Sequence, residues 1–307
     1  SAATLAEQES SLATAAFGQT FKVTPIQVIT AMNHREKVIA CVAPAFVGQF
    51  GKDATPAKLK TAMRALGFAD VVEVAIGADL CAVQEAHDFL EEVPAKQPFM
   101  GTSCCPAWSV MAKKMFPQFK DYISMALTPM VITARMVKKD HPNARICFIG
   151  PCAAKKLEAS RRSVRSEVDF VITYEELMGM FVGKGIELAD IETDEKFEDA
   201  TAAGRGYAAG GGAADAIANC VDELYPNVQI KVDRAEGLAE CAKMLRIAQA
   251  GKRNGYLMEG MACPGGCIGG AGTLLSQTKA SVALKKFQAE SDDKMATKSK
   301  YHVPEEE

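Results

Sequence analysis

From about residue 37 onward the chain alternates short apolar runs with stretches of helical spacing, and this alternation limits its fold more than any other feature. The candidate strands are Val38–Ala45, Val71–Ile76, Gln97–Thr102, Ile146–Gly150, Val168–Tyr174, Val228–Val232 and Tyr256–Glu259. Helical spacing covers 56–66, 79–93, 106–116, 128–140, 175–183, 212–225, 238–250 and 272–290. Two of these carry start signals. Thr55–Pro56 offers an N-cap with proline at the first helical position, and Thr173-Tyr-Glu-Glu176 reads as a capping box. The alternation predicts an α/β fold with mainly parallel sheets flanked by helices.

No repeat or long Pro/Ser linker divides the chain. The acidic stretch Ile186–Asp199 is the best candidate for a surface hinge. The expected organisation is a helical lead-in over 1–36, an N-terminal lobe over 37–185, a C-terminal lobe over 186–290 and a charged, peripheral tail over 291–307. Two lobes without a linker predict a cleft between them as the ligand site.

Of 307 residues, 48% are hydrophobic and 24% charged, the profile of a globular chain with a sizeable core. A net charge of −3 and 7% aromatic residues give no basic field and few stacking platforms, so no nucleic-acid partner is expected. The longest apolar runs fall far short of the roughly 18 residues of a membrane span. The start shows no signal-peptide pattern, so a reduced, cytoplasmic setting is expected, where clustered cysteines read as metal ligands or reactive thiols.

Ten cysteines fall into two populations. Cys41, Cys81, Cys147, Cys220 and Cys241 stand alone in apolar patterns and read as core. The other five sit beside glycine and proline in Thr102-Ser-Cys-Cys-Pro-Ala-Trp108, Gly150-Pro-Cys-Ala-Ala-Lys-Lys-Leu-Glu158 and Met261-Ala-Cys-Pro-Gly-Gly-Cys-Ile-Gly-Gly270. Each segment follows a candidate strand, which puts its thiols where sites form in open α/β sheets. The spacing does not suit zinc, which favours two close cysteine pairs or cysteine with histidine. His34, His87, His141 and His302 form no metal-binding pattern. Four thiolates among glycine turns suit an iron–sulfur cluster better. Five thiols for four positions leave one of the adjacent pair Cys104–Cys105 free for chemistry.

These three segments, in this order, resemble the cysteine motifs around the H-cluster of the FeFe-hydrogenase catalytic domain. The resemblance runs from Val38 to the helix after Gly272. It implies a 4Fe–4S cubane joined through one cysteine to a diiron unit with carbon monoxide, cyanide and azadithiolate ligands. By the same resemblance Cys105, Cys152, Cys263 and Cys267 hold the cubane, Cys267 is shared with the diiron unit, and Cys104 is the spare thiol beside the bridge amine. Lys155 is then the cation for one cyanide, steadied by Glu158 one turn further on. Ala43-Pro44-Ala45 resembles the backbone segment facing the other cyanide. Met261 matches a methionine packed on the diiron unit, and Ala208 lies in the Gly-rich loop beside it. A proton path through Glu85, Ser124 and Asp88 to Cys104 is implied, with Glu85 and Asp88 sharing a helix face.

Three departures mark a divergent subgroup. Gly150 stands where a methionine commonly precedes the second-motif cysteine, and Met130 where a glutamine usually follows the Thr-Pro pair. The usual phenylalanine–glycine pair reads Tyr207-Ala208.

The implied activity is reversible reduction of protons to dihydrogen. The implied partners are maturation proteins and ferredoxin or an electron-transfer subunit; residues 1–36 contain no cysteine for an accessory cluster, so electrons are expected from another protein or through a part of the natural chain outside this sequence. Lys113–Lys114, Arg161–Arg162 and Arg165 are the candidate docking charges for an acidic ferredoxin. A hydrogen sensor of low turnover and a hydrogenase-like iron–sulfur assembly protein are the competing classes. The second is expected to lack both the spare cysteine and the cyanide-facing lysine, which here are Cys104 and Lys155.

Overall fold

The computed structural model describes residues 25–302 except 162, 163, 165 and 198. Seven strands lie among them: β1 (Val38–Val42), β2 (Asp70–Glu73), β3 (Phe99–Gly101), β4 (Arg145–Ile149), β5 (Phe170–Ile172), β6 (Lys231–Glu236) and β7 (Tyr256–Met261). They form two sheets, β2-β1-β4-β5 and β3-β7-β6, and every pairing is parallel. The α/β expectation therefore holds.

Helices cover both faces of each sheet, which is why the strands read as apolar runs and not as alternation. In β1, Val38, Ala40 and Val42 pack with Leu59, Met63 and Phe181 on one side, while Ile39 and Cys41 pack with Val131 and Ala134 on the other. In the second sheet Met100 and Leu257 face Phe89 and Ile217, whereas Phe99 and Met258 face Trp108 and Leu245.

The lobes do not divide at residue 186. β3 comes from the stretch expected in the N-terminal lobe, yet it pairs with β7, so the second sheet draws on both halves of the chain. The stretch expected as a hinge is tied down instead. Lys58 Nζ donates to the Ala189 carbonyl at 2.6 Å, the Thr61 and Thr193 hydroxyls meet at 2.5 Å, and Phe197 is buried. Of the lead-in, residues 1–24 lie outside the described residues, and Pro25–Asn33 is a helix that buries Val28 in the first core.

The tail over 291–302 is not peripheral. Asp293 and Lys294 carbonyls accept from the Ala202 and Ala203 amides at 2.9 and 3.1 Å, and Ala296 is buried. Its last residues, 303–307, lie outside the described residues.

Four of the segments that carry candidate site residues leave the carboxyl ends of strands: 43–45 after β1, 102–105 after β3, 150–152 after β4 and 262–267 after β7. Two strands come from each sheet, so both sheets point their carboxyl ends at one place.

Candidate functional site

At that place lies a cavity with walls from both sheets. Its lining includes Cys104, Cys105, Cys152 and Cys267, together with Lys155 and Tyr207. Ala43, Pro44, Ala208 and Met261 also border it, so the sequence-predicted contacts gather here. Cys263 stands off the cavity wall but within electrostatic reach of Cys105 and Cys152. The two cysteine populations separate as expected: these five thiols are partly exposed, and the other five are buried.

Local backbone chemistry builds the cavity. Gly265 and Gly266 take φ of 81° and 78°, a left-handed turn between Cys263 and Cys267. A Cβ on Gly266 would lie 2.4 Å from the Gly210 nitrogen, so the two glycine loops touch backbone to backbone. Carboxylates clamp them: Glu236 Oε2 accepts from the Gly265 amide at 2.6 Å. The buried Glu259 accepts from the Gly211 and Ala214 amides at 2.8 and 2.6 Å, at the start of the helix Gly212–Leu224. The segment that carries Cys152 is tied in by the Gly272 amide, which donates to the Pro151 carbonyl at 2.9 Å.

Lys155 sits on the helix Ala153–Ser160, and only 8% of it is exposed. Its ammonium lies 2.7 Å from Glu158 Oε2 and donates to the Thr128 hydroxyl at 3.2 Å, which in turn donates to Glu158 Oε1 at 2.7 Å. Burial opposes the charge, yet the carboxylate of Glu158 outweighs it and holds the lysine above its usual pKa. A protonated cation thus borders a mostly apolar cavity. Thr128 is a member of this triad that the sequence reading did not single out. Its only signal was its place before Pro129.

Glu85 lies fully buried on the helix Ala75–Glu92 and accepts from the Ser103 amide at 2.7 Å, one residue before Cys104. Burial raises its carboxyl to about 7 against hydrogen bonds from Ser103 and Ser124 that lower it. Burial likewise keeps the Cys104 thiol protonated, with the charge of Glu85 adding to the effect. Asp88 is on the outer side: it accepts from Gln84 at 2.8 Å and, with Ser124 and Glu92, lines a separate open groove. Glu85, Ser124 and Asp88 therefore run from the interior to that groove. Cys81, read as core, is buried and also contacts Glu85 Oε2 and Ser103 Oγ, each at 3.8 Å.

The three departures all bear on the cavity. Met130 lines it. Phe148 also lines it and occupies the space at Gly150, where a Cβ would lie 2.6 Å from the ring. Tyr207 also lines it, with its hydroxyl buried toward Cys81. Among the candidate docking charges, Lys113 is half-buried, with Arg161 close enough to lower its pKa after burial does so, and Lys114 is exposed. Arg162 and Arg165 lie outside the described residues.

The donor set fits an iron–sulfur cage. Among the described residues no three His, Cys, Asp or Glu side chains converge as ligands of one ion. A cubane does not need such convergence, because each of its irons takes a single thiolate. No helix among the described residues is long and apolar enough to cross a membrane.

Comparison with known proteins agrees. Iron hydrogenase 1 of Clostridium pasteurianum is 28% identical over 332 residues, spanning 90% of this chain and 58% of that protein. The chain thus covers little more than half of that relative's length. A cytosolic Fe-S cluster assembly factor of Danio rerio is 25% identical over 276 residues, spanning 73% of this chain and 67% of that protein. A variant of the FeFe-hydrogenase HydA1 from Chlamydomonas reinhardtii has the same fold, with a TM-score of 0.75 at 23% identity over 90% of this chain and 92% of that one. The family profile described as iron only hydrogenase large subunit, C-terminal domain, matches residues 36–271, and the chain belongs to that family.

Proposed function

We propose that this chain is the catalytic domain of an FeFe-type hydrogenase, interconverting two protons and two electrons with dihydrogen. The observation that carries the reading is Lys155, a buried cation at the wall of a mostly apolar cavity that also holds a thiol beyond the four needed for a cubane. Glu158 balances this charge on the helix side, and the lysine also borders the cavity, where the cyanide ligands of a diiron unit would give it a second anionic partner.

Cys105, Cys152, Cys263 and Cys267 would hold the cubane, with Lys155, Ala43, Pro44, Met261 and Ala208 around a diiron unit attached to it. Such a group, when bound, supplies electrons and an open iron at which protons and dihydrogen interconvert. The chain's own residues handle the protons. Glu85 has a pKa near neutrality, so it can take a proton and release it at little cost. Ser103, whose amide pins Glu85, adjoins Cys104, whose thiol remains protonated and faces the cavity. Ser124 and Asp88 refill Glu85 from the outer groove. Electrons would come from ferredoxin or an electron-transfer subunit, with Lys113, Lys114 and Arg161 as the described candidate docking charges.

The similarity to cytosolic Fe-S cluster assembly factors supports a second reading, a cubane-bearing protein without hydrogen chemistry. The infrared spectrum of protein exposed to the hydrogenase maturation machinery separates the two. Carbonyl and cyanide stretching bands are expected; their absence from protein with a full complement of cubane iron would favour the second reading.

A further inference from the structure

Cys81 reads as core from the sequence, yet in its fully buried place the thiol faces polar groups. It lies one turn before Glu85 on the helix Ala75–Glu92 and donates to Glu85 Oε2 at 3.8 Å, within the reach of a sulfur donor. Ser103 Oγ lies 3.8 Å from the same sulfur. The third neighbour is Tyr207, which follows the short helix Ala202–Gly206 and packs its ring with Ala213, Ile217 and Met261. Its buried hydroxyl meets no nitrogen or oxygen acceptor among the described residues and is turned to Cys81, where it favours the thiolate.

The two oxygens of Glu85 are thereby held differently. Oε1 accepts from the Ser103 amide at 2.7 Å, whereas Oε2 has the weaker thiol donor. A thiol can accept from the phenol and donate to the carboxylate at once, and in a dry interior each bond of such a chain strengthens the next. Apolar residues at 81 and 207 would fill these positions with no buried polar atom to satisfy, so the pair is accounted for by the acid on which it ends. We propose that Tyr207, Cys81 and Glu85 form one hydrogen-bonded arm, phenol to thiol to carboxylate, in which Cys81 and Tyr207 are positioning residues that hold Oε2 of the buried acid. The other titratable groups that act on Glu85 or Cys81 are Asp88 on the same helix, Cys104 after β3 and Lys155 on the helix Ala153–Ser160. The part this arm plays in a proton path rests on the proposed function; the arm itself does not.

The test is the infrared S–H stretch of the matured protein, which falls in a window clear of other protein bands, recorded across pH. The Cys81 band is identified by its loss in Cys81→Ala. It is expected at a lower frequency when Glu85 is ionised than when it is protonated, because a carboxylate is the stronger acceptor. This pH response should vanish in Glu85→Gln, and the band should be displaced in Tyr207→Phe. Turnover with reduced viologen should fall about 10-fold in Cys81→Ala, the scale of one hydrogen bond to a charged group, and recover in Cys81→Ser, which keeps a donor. A Cys81 band indifferent to pH and to Glu85→Gln would overturn the arm, and one unmoved by Tyr207→Phe would remove Tyr207 from it. Parental turnover in Cys81→Ala would overturn the positioning role. Absence of carbonyl and cyanide bands from the parent would overturn the functional reading, while the S–H response would still decide the arm.

Discussion

The amide of Ser103 donates to Glu85 Oε1 at 2.7 Å, joining a helix that supports one side of the second sheet to the loop that carries Cys104 and Cys105. This bond fixes where a buried acid stands relative to the spare thiol. It also leaves the acid short of solvent, and burial raises its pKa from 4.5 to about 7.

A pH dependence of stability follows. Asp79 and Glu259 are also raised to about 7, each chiefly by burial. In the unfolded chain such carboxyls release protons near pH 4, so between about pH 4 and 7 the folded state holds more protons than the unfolded one. Stability from these groups is fully present below about pH 4 and is lost as the pH rises through 7. The urea midpoint of metal-free protein should fall between pH 5 and 8, and Glu85→Gln should make that fall shallower. An identical pH slope in Glu85→Gln would contradict the buried-acid assignment.

Glu259 should matter for stability before it matters for chemistry. Glu259→Ala leaves the Gly211 and Ala214 amides without their acceptor at the start of a helix. The expected cost is about 2–4 kcal/mol, from two buried donors losing a charged partner. Denaturant titration of metal-free protein measures it, and a change below about 0.5 kcal/mol would show that the clamp is dispensable.

Lys155→Met should separate the two halves of the cofactor. Cubane iron should stay near the parent level because no ligand thiol is touched, whereas the carbonyl and cyanide bands should be lost. The single change also strands Glu158, at about 3–5 kcal/mol. The double change Lys155→Met with Glu158→Gln should recover part of that stability without restoring the bands. Retained bands would remove the lysine from the account.

The adjacent cysteines should respond differently. Cys105→Ala should lower cubane iron and its visible absorption, while Cys104→Ala should leave both near the parent values. Equal iron loss in the two variants would mean that the ligand and the spare thiol have been assigned wrongly.

The sequence shows best what is encoded locally. The Thr55–Pro56 signal starts a helix at Pro56 that ends at Leu66, and the Thr173–Glu176 box is made in full. The apolar run Val71–Ile76 misleads because it straddles an edge: the strand stops at Glu73 and a helix begins at Ala75. Strand β6, Lys231–Glu236, extends beyond the predicted Val228–Val232 because its sequence KVDRAE has mixed charge and an exposed side, so apolarity does not outline it. The predicted helix over 272–290 starts only at Gln277, after turns in which Gly272 is tied to Pro151.

In the site, the cysteines and Lys155 were legible because motif spacing names them. Thr128, Phe148 and the Glu85 contacts of Ser103 and Cys81 were not. They depend on which turn of one helix faces a loop from another sheet, which no local pattern encodes.

The most direct measurement is dihydrogen evolution by the matured protein supplied with a reduced viologen, beside Cys104→Ala and protein carrying the cubane alone. The matured parent should evolve dihydrogen, and Cys104→Ala should fall by at least about 100-fold with its infrared bands intact, the scale of a lost positioned proton donor. The cubane-only protein should evolve none. Bands in the parent without dihydrogen above the cubane-only level would contradict catalysis, and near-parental turnover in Cys104→Ala would contradict the proton route.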